Sequence, residues 1–379
     1  MEKKRIIGIS HAFIKKINLS FFEKLSEDNN IQITCIAPKF LYLSDNYMQG
    51  KKKCYPDYDI KNINLDLRLL MLKFKHMRFF YFYNIKKIIK EIKPHLIILD
   101  NDTATVQSII LIIYSFFYKF KISYFCNENN IRNIINKFTF KKLVKLTLLY
   151  LINSCIKWKV YKIFCFTKEI KKNYDFLGYK NKTVVMPLGY NEKIFKIHDN
   201  KVNNKFIISF FGRMLPAKGV HTLLKSLENL KFDNWILMLD TFHLADRNYF
   251  RELKPQLKKL LKKNKLKLIK CNYFEIAKFM SMSDLVVLPS EIEEQYGRII
   301  QETVASGTLV IGSNIGAFRE IIDDDELLFN PGNFAQLSEV INKIYFDKNF
   351  RDIKFNNLYN KISPYRSISN QVNILKNYI

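Results

Sequence analysis

The sequence predicts an α/β fold built from two successive parallel-sheet domains. Three observations carry that prediction. The chain has 379 residues, 48% of them hydrophobic, and a single core stops growing near roughly 250–300 residues. Short runs rich in Ile, Val, Leu and Phe alternate with longer segments at helical spacing, as in strand–crossover helix–strand units. The alternation then restarts after a polar break, HDNKVNNK, at residues 198–205. We expect a first domain at 1–197, a second at 198–362, and a last amphipathic helix at 363–379 packing back toward the first. Each domain is expected to be doubly wound, with a cleft between the two.

In the first domain, RIIGIS (5–10) reads as a short buried strand and Ser20–Ser26 as a helix. IQITCIAP is a strand from Ile31, and YDIKNINLDL alternates loosely. Met77–Glu91 has near-helical apolar spacing, with Pro94 beyond it. HLIILD is a strand ending in Asp100, Asn101 and Asp102, followed by a helix near Thr103–Tyr118. KISYFCN, a long helical region at Asn130–Trp158, YKIFCFT, a helix at Lys168–Phe176 and KTVVMPLGY complete the domain. In the second, FIISFFGR, NWILMLD, LKLIK, DLVVLPS and TLVIGSN read as strands. Helices are expected at Val220–Leu230, Tyr249–Lys263 and EIAKFMSM, and around Glu302, ending near Gly307.

The net charge of +27 is uneven: residues 1–200 hold 36 basic and 16 acidic residues, the remainder 26 and 19. No acid lies between Asp66 and Glu91, or from Asn129 to Lys168, and aromatic residues interleave both stretches. A basic, aromatic-rich face suits an anionic membrane surface, a nucleic acid or plain solvation. No zinc-finger, KH or RRM pattern accompanies it, so nucleic acid is not the expected partner. The six cysteines form no CxxC pair and read as small buried hydrophobes of a reducing compartment, with no metal site expected. MEKKRIIGIS does not read as a secretory signal. VQSIILIIYSFFYKF (106–120) falls short of the ~20 residues a bilayer requires and is expected to be a buried helix. The expected location is cytoplasmic, peripheral on the inner face of the plasma membrane.

Two stretches carry chemistry. In FFGRMLPAKG a strand runs into Gly212 and Arg213, and Lys218-Gly219 precedes a helix. Arg213 grips phosphate bidentately, Lys218 supplies a point charge, and helix-terminal N–H groups favour an anion. A plain surface turn is the alternative. In LPSEIEEQYGRIIQETVASG, Pro289 and Ser290 lie at the C-terminal end of a strand, the edge that faces ligand in open α/β sheets. Gly297 permits close backbone approach. Glu294 and Glu302 stand eight residues apart, about 12 Å along a helix, so each would contact a different half of a long ligand. Carboxylates are natural acceptors for sugar hydroxyls, although both glutamates also read as solvent-facing helix charges.

These two stretches, with LVIGSNIGAFREII after them, resemble the signatures of the retaining glycosyltransferases of family 4, which have the GT-B fold of two Rossmann-like domains facing a central cleft. The Glu-x7-Glu motif is Glu294–Glu302, and MPLGYNEKIF resembles the family's interdomain segment. The resemblance implies that Arg213 and Lys218 bind the donor diphosphate and stabilise the leaving group. It implies that Glu302 holds the nucleotide ribose and that Glu294 contacts the donor sugar. Gly212, Ser290, Gln295, Tyr296 and Gly297 would line the sugar and phosphate pocket. A UDP- or GDP-linked sugar would pass, with retention, to a lipid-linked or cell-envelope glycan. No cofactor or bound metal is implied; Asp323-Asp324-Asp325 reads as a loop after the motif.

Three departures stand out. Only Gly8 remains of the glycine pair usual after the first strand, and His11 follows it either as an acceptor-side group or as a turn residue. CNENN stands where the family often has a histidine, so Asn127 or Glu128 would serve, Glu128 by orienting the acceptor hydroxyl or taking its proton. The usual glycine after LMLD is replaced by TFHLADRN. A phosphorylase or epimerase of the same fold and a basic non-enzymatic binding protein are the alternative readings.

Overall fold

A computed structural model describes residues 3–43, 52–73, 80–126, 140–198, 204–241 and 246–379. The chain divides into two compact units. The first comprises Met1–Ser44, Lys51–Leu188 and Ile368–Ile379, and the second is formed by Gly189–Ser367.

The first unit is built on a seven-stranded sheet. Its strands are β1 (Lys4–Ile9), β2 (Ile31–Pro38), β3 (Asp66–Leu70), β4 (Leu96–Asp100), β5 (Lys121–Cys126), β6 (Val160–Cys165) and β7 (Thr183–Val185). All pairings are parallel, in the order β7-β6-β5-β4-β1-β2-β3. Two short antiparallel ribbons, Leu41–Leu43 with Lys52–Cys54 and Leu72–Lys73 with Tyr81–Phe82, lie outside it. Helices α1 (Ser20–Leu25), α2 (Ile85–Ile92), α3 (Val106–Tyr118), α4 (Phe140–Ile156) and α5 (Lys168–Tyr174) alternate with the strands.

The second unit carries β8 (Phe206–Phe210), β9 (Trp235–Asp240), β10 (Leu266–Ile269), β11 (Leu285–Leu288), β12 (Leu309–Ser313) and β13 (Leu328–Phe329). They pair in parallel in the order β10-β9-β8-β11-β12-β13. Every residue of β8, β11 and β12 is buried. That is why these strands read as unbroken apolar runs rather than alternating ones. Helices α6 (Val220–Leu227), α7 (Arg247–Lys262), α8 (Ile276–Ser281), α9 (Arg298–Ala305), α10 (Gly316–Ile322), α11 (Phe334–Phe346) and α12 (Lys348–Ile362) complete the unit. α11 and α12 had no counterpart in the sequence reading; α12 buries only Leu358 and Ile362, too few for a clear apolar stripe. In both sheets the first strand lies between the second and fourth of its unit. The order therefore reverses at β1/β4 and at β8/β11, where such sheets open a crevice beyond the strand ends.

The last helix, α13 (Ile368–Lys376), belongs to the first unit. Lys376 pairs with Asp28 at 2.6 Å, and the Tyr378 ring meets Phe164 at 5.7 Å. The expected junction at 197/198 stands beside an observed passage between units at 188/189.

Three expectations need correcting. Among the described residues, the near-helical spacing of Met77–Glu91 becomes helix only from Ile85, with Tyr81–Phe82 in a short strand. α3 is not a buried helix throughout: Leu111, Ile112 and Ser115 face the core, but Ile109, Ile113, Phe116 and Phe117 are exposed. Nor are all cysteines buried, since Cys155 is exposed and Cys54 half-buried. Among the described residues, no helix is long and apolar enough to cross a membrane.

Candidate active site

The loops that leave β8 and β11 meet at the β8/β11 reversal. Beyond β8 the chain buries Phe211, exposes Arg213 and makes a single turn at Pro216–Lys218. Gly219 then starts α6 with φ +66°, and a Cβ there would lie 1.8 Å from the Pro289 carbonyl oxygen. Only glycine fits, because both the left-handed backbone and the neighbouring main chain exclude a side chain. The Glu291 N–H donates to the Ala217 carbonyl at 2.9 Å, so the two loops are joined through backbone.

This contact brings the sequence-predicted residues together. The Lys218 ammonium pairs with Glu294 Oε1, and the Ser290 hydroxyl donates to the same oxygen at 2.8 Å. Glu294 lies in the loop before α9 rather than on the helix, and its carbonyl accepts from the Ala317 N–H at the start of α10. Gly297 turns the chain into α9 with φ +49°, and a Cβ there would lie 3.1 Å from the side chains of both Phe318 and Ile321. The close approach that Gly297 permits is thus to α10. Arg213 makes no ion pair with any described residue. The walls formed here enclose about 500 Å³. Gly212, Arg213 and Lys218 line one side; Ser290, Glu294, Gln295, Tyr296 and Gly297 line the other.

Glu302 does not line this cavity. It is 4% exposed on α9, a helix buried at nearly every position, and its Oε1 accepts from the Tyr273 hydroxyl at 3.0 Å. Burial pushes its carboxyl up to about 7, against the opposing influence of Arg298 and the Tyr273 hydrogen bond. The expectation of a solvent-facing helix charge therefore fails for Glu302.

Sequence reasoning missed three groups. Arg298 lines the cavity at the first position of α9. A cation there opposes the helix dipole, and that unfavourable placement was the available signal. Tyr273, whose ring packs edge-on to Phe195 at 5.3 Å, holds Glu302 from a segment too remote for spacing to reveal. Behind the loops, Glu291 Oε1 accepts from the Thr222 hydroxyl at 2.7 Å and lies 3.0 Å from His221 Nε2. His221 Nδ1 is 2.8 Å from the Tyr249 hydroxyl, which burial pushes up to about 12. This network ties the Ser290 loop to α6.

Glu128 and Asn127 lie outside the described residues. His11 follows β1 in the first unit; burial lowers its pKa while Asp100 works against that shift, and its Nδ1 is buried without a partner among the described residues. Asp323 and Asp324 pair with Lys361 and Lys354, each at 2.7 Å, which accounts for two of the three consecutive aspartates. Among the described residues, no group of three or more His, Cys, Asp or Glu side chains is placed to hold a metal ion.

Comparison with known proteins gives consistent matches. The profile of the glycosyl transferases group 1 family matches residues 191–361. An uncharacterized glycosyltransferase of Methanocaldococcus jannaschii is 25% identical over 232 residues, 59% of this chain and 58% of that protein. An MMP alpha-(1->4)-mannosyltransferase of Mycolicibacterium hassiacum is 25% identical over 175 residues, 45% of this chain and 41% of that protein. The matches thus span well under two thirds of these curated relatives. The crystal structure of Anabaena HepE in complex with UDP and glucose superposes with a TM-score of 0.72 at 15% identity, covering 99% of this chain and 98% of that one. Residues 191–361 are thus similar to the glycosyl transferases group 1 family, and the chain shares the two-sheet α/β fold of the glycosyltransferase structures it superposes on.

Proposed function

We propose that the chain is a retaining glycosyltransferase of family 4. It moves a sugar from a UDP- or GDP-linked donor to a lipid-linked or cell-envelope glycan. The observation that carries this reading is the convergence of Arg213, Lys218, Ser290 and Glu294 on one cavity at the β8/β11 reversal.

Departure of a nucleoside diphosphate builds negative charge on the β-phosphate. Fixed cations aimed at that charge lower the barrier because they need no reorganisation when it appears. Arg213, exposed into the cavity, offers its planar fork to the diphosphate, and Lys218 adds a point charge. Two such side chains, with the backbone N–H groups at the start of α9, neutralise the leaving group without a bound metal. Glu294 already accepts from Lys218 and Ser290, so its second oxygen can accept a hydroxyl of the donor sugar. Gly212, Gln295, Tyr296 and Gly297 shape the sugar and phosphate walls. Glu302 is assigned the nucleotide ribose by the family resemblance; it is buried outside the cavity wall, so this contact requires its surroundings to open to the donor, with Oε2 accepting while Tyr273 holds Oε1. Glu128 orients the acceptor hydroxyl or accepts its proton. The basic first unit meets the anionic membrane that presents the acceptor.

UDP and glucose in HepE support a nucleotide-linked donor, and the mannosyltransferase name of the Mycolicibacterium relative supports transfer of a sugar. The test is nucleoside diphosphate release from a panel of UDP- and GDP-sugars, with and without extracted envelope glycans, followed by NMR of the product anomer. One donor turned over faster with acceptor, with retained configuration and no loss on chelation, is the expected result. Inversion, or dependence on a divalent cation, contradicts the mechanism. Release that needs inorganic phosphate contradicts the transferase assignment.

A further inference from the structure

Among the described residues, the outer faces of α3 and α4 expose a series of large apolar side chains. On α3, Ile109, Ile113, Phe116 and Phe117 form a stripe at helical spacing, and Phe117 is 73% exposed. On α4, Val144, Leu148 and Leu151 do the same, with Leu148 and Leu151 each 56% exposed and Cys155 one turn further along. The two stripes are joined: the Phe116 ring lies 5.2 Å from Trp158, itself 61% exposed. Lys159 Nζ sits 4.1 Å from the Phe116 ring centroid and 5.2 Å from that of Trp158. Lys119, at the end of α3, and Lys157, beside Trp158, are exposed. None of these three lysines forms an ion pair among the described residues.

An apolar face with lysines at its edge needs a partner that offers hydrocarbon and negative charge together. A second copy offers the hydrocarbon but the wrong sign, since neither α3 nor α4 contains an acidic residue. Like charges would then face each other across a two-fold contact. An anionic bilayer offers both: acyl chains for the aromatic and aliphatic tips, the Trp158 indole N–H being already satisfied by the Cys155 carbonyl at 2.8 Å, and lipid phosphates at the depth where lysines settle. Neither helix is built to span a membrane, so the face lies in the interface plane.

We propose that α3, α4 and the Phe116–Trp158–Lys159 cluster form an anionic-lipid docking face that inserts its apolar side chains into the membrane surface. It locates the membrane contact proposed above and rests on that reading for its purpose. Its test needs no sugar transfer. The chain has two tryptophans, and Trp235 is 4% exposed, so a polarity change at the surface reports Trp158.

Purified full-length protein is mixed with phosphatidylcholine vesicles, with and without about one third phosphatidylglycerol. The expected result is a blue shift of tryptophan emission on the anionic vesicles only, quenched by brominated acyl chains. Binding should weaken with salt without vanishing, because insertion persists when charge is screened. Phe117→Ser/Leu148→Ser/Leu151→Ser should reduce vesicle affinity at least about tenfold, leaving the thermal midpoint and nucleotide binding unchanged. Trp158→Phe should abolish the blue shift while sedimentation with vesicles is retained. No blue shift on anionic vesicles, or unchanged affinity in the triple variant, overturns the proposal. So does a wild-type dimer that the triple variant dissociates while neither protein binds vesicles. Donor turnover that persists in the triple variant separates a failure of this face from a failure of the enzymatic reading.

Discussion

Glu294 and Glu302 belong to one segment, eight residues apart, and the fold gives them different surroundings. Glu294 sits in a loop, bound by Lys218 and Ser290 at the wall of a cavity. Glu302 is enclosed on α9, held by one tyrosine hydroxyl, with burial opposing its charge. Lys218 and Ser290 both hold one oxygen of the first, which leaves the other to accept. The second has a carboxyl raised to about 7, so its state at neutral pH is set by what reaches it. Spacing along a sequence thus says which residues share a segment, while the environment decides what each acid does.

The largest expected effect comes from breaking the frame that holds Glu294. Gly219→Ala places a methyl against the Pro289 carbonyl, where neither backbone can yield cheaply. Loss of more than about 3 kcal/mol of stability, read by urea unfolding, is expected. A neutral result would mean that the two loops are not locked together. Next, Arg213→Ala leaves the Glu294 network intact and removes the free cation. Donor affinity should fall by about 2–3 kcal/mol, roughly thirty- to more than a hundredfold, with the melting temperature unchanged.

Glu302 is tested through pH. Its carboxyl holds a proton more tightly in the folded chain than in the unfolded one. Its contribution to stability is therefore complete below about pH 4.5 and is lost as pH rises through about 7. Between pH 5 and 8 the second unit should lose on the order of 2 kcal/mol from this group. Glu302→Gln should flatten that slope, followed through the buried Trp235. An unchanged slope would show that Glu302 titrates normally. The smallest effect is that of Tyr273→Phe, which removes the hydroxyl from Glu302 Oε1 and keeps the ring. About 1 kcal/mol should be lost at pH 8, and the Glu302 carboxyl should move further up. No change would assign Tyr273 a packing role alone.

Much of the fold was legible because parallel strands buried on both faces write themselves as FIISF, LVVL and LVIGS. The cavity was legible because its residues fall at strand ends, where Gly212-Arg213 and Pro289-Ser290 break the apolar runs. The burial of Glu302 was not, since α9 is enclosed at almost every position and shows no polar face to betray which side is inward. The His221–Glu291–Tyr249 network joins residues from three separate segments, and no local pattern links them. α3 misled in the opposite direction. Its apolar residues surround the helix, so the sequence alone does not distinguish the side that packs from the side that is exposed.

Arg213, Lys218, Ser290 and Glu294 converge on the proposed donor site. Ligand-observed NMR with UDP- and GDP-sugars, comparing the wild type with Arg213→Ala, tests it most directly. One nucleotide class should bind the wild type and lose affinity in the variant. Binding of none, or equal binding by both proteins, would contradict it.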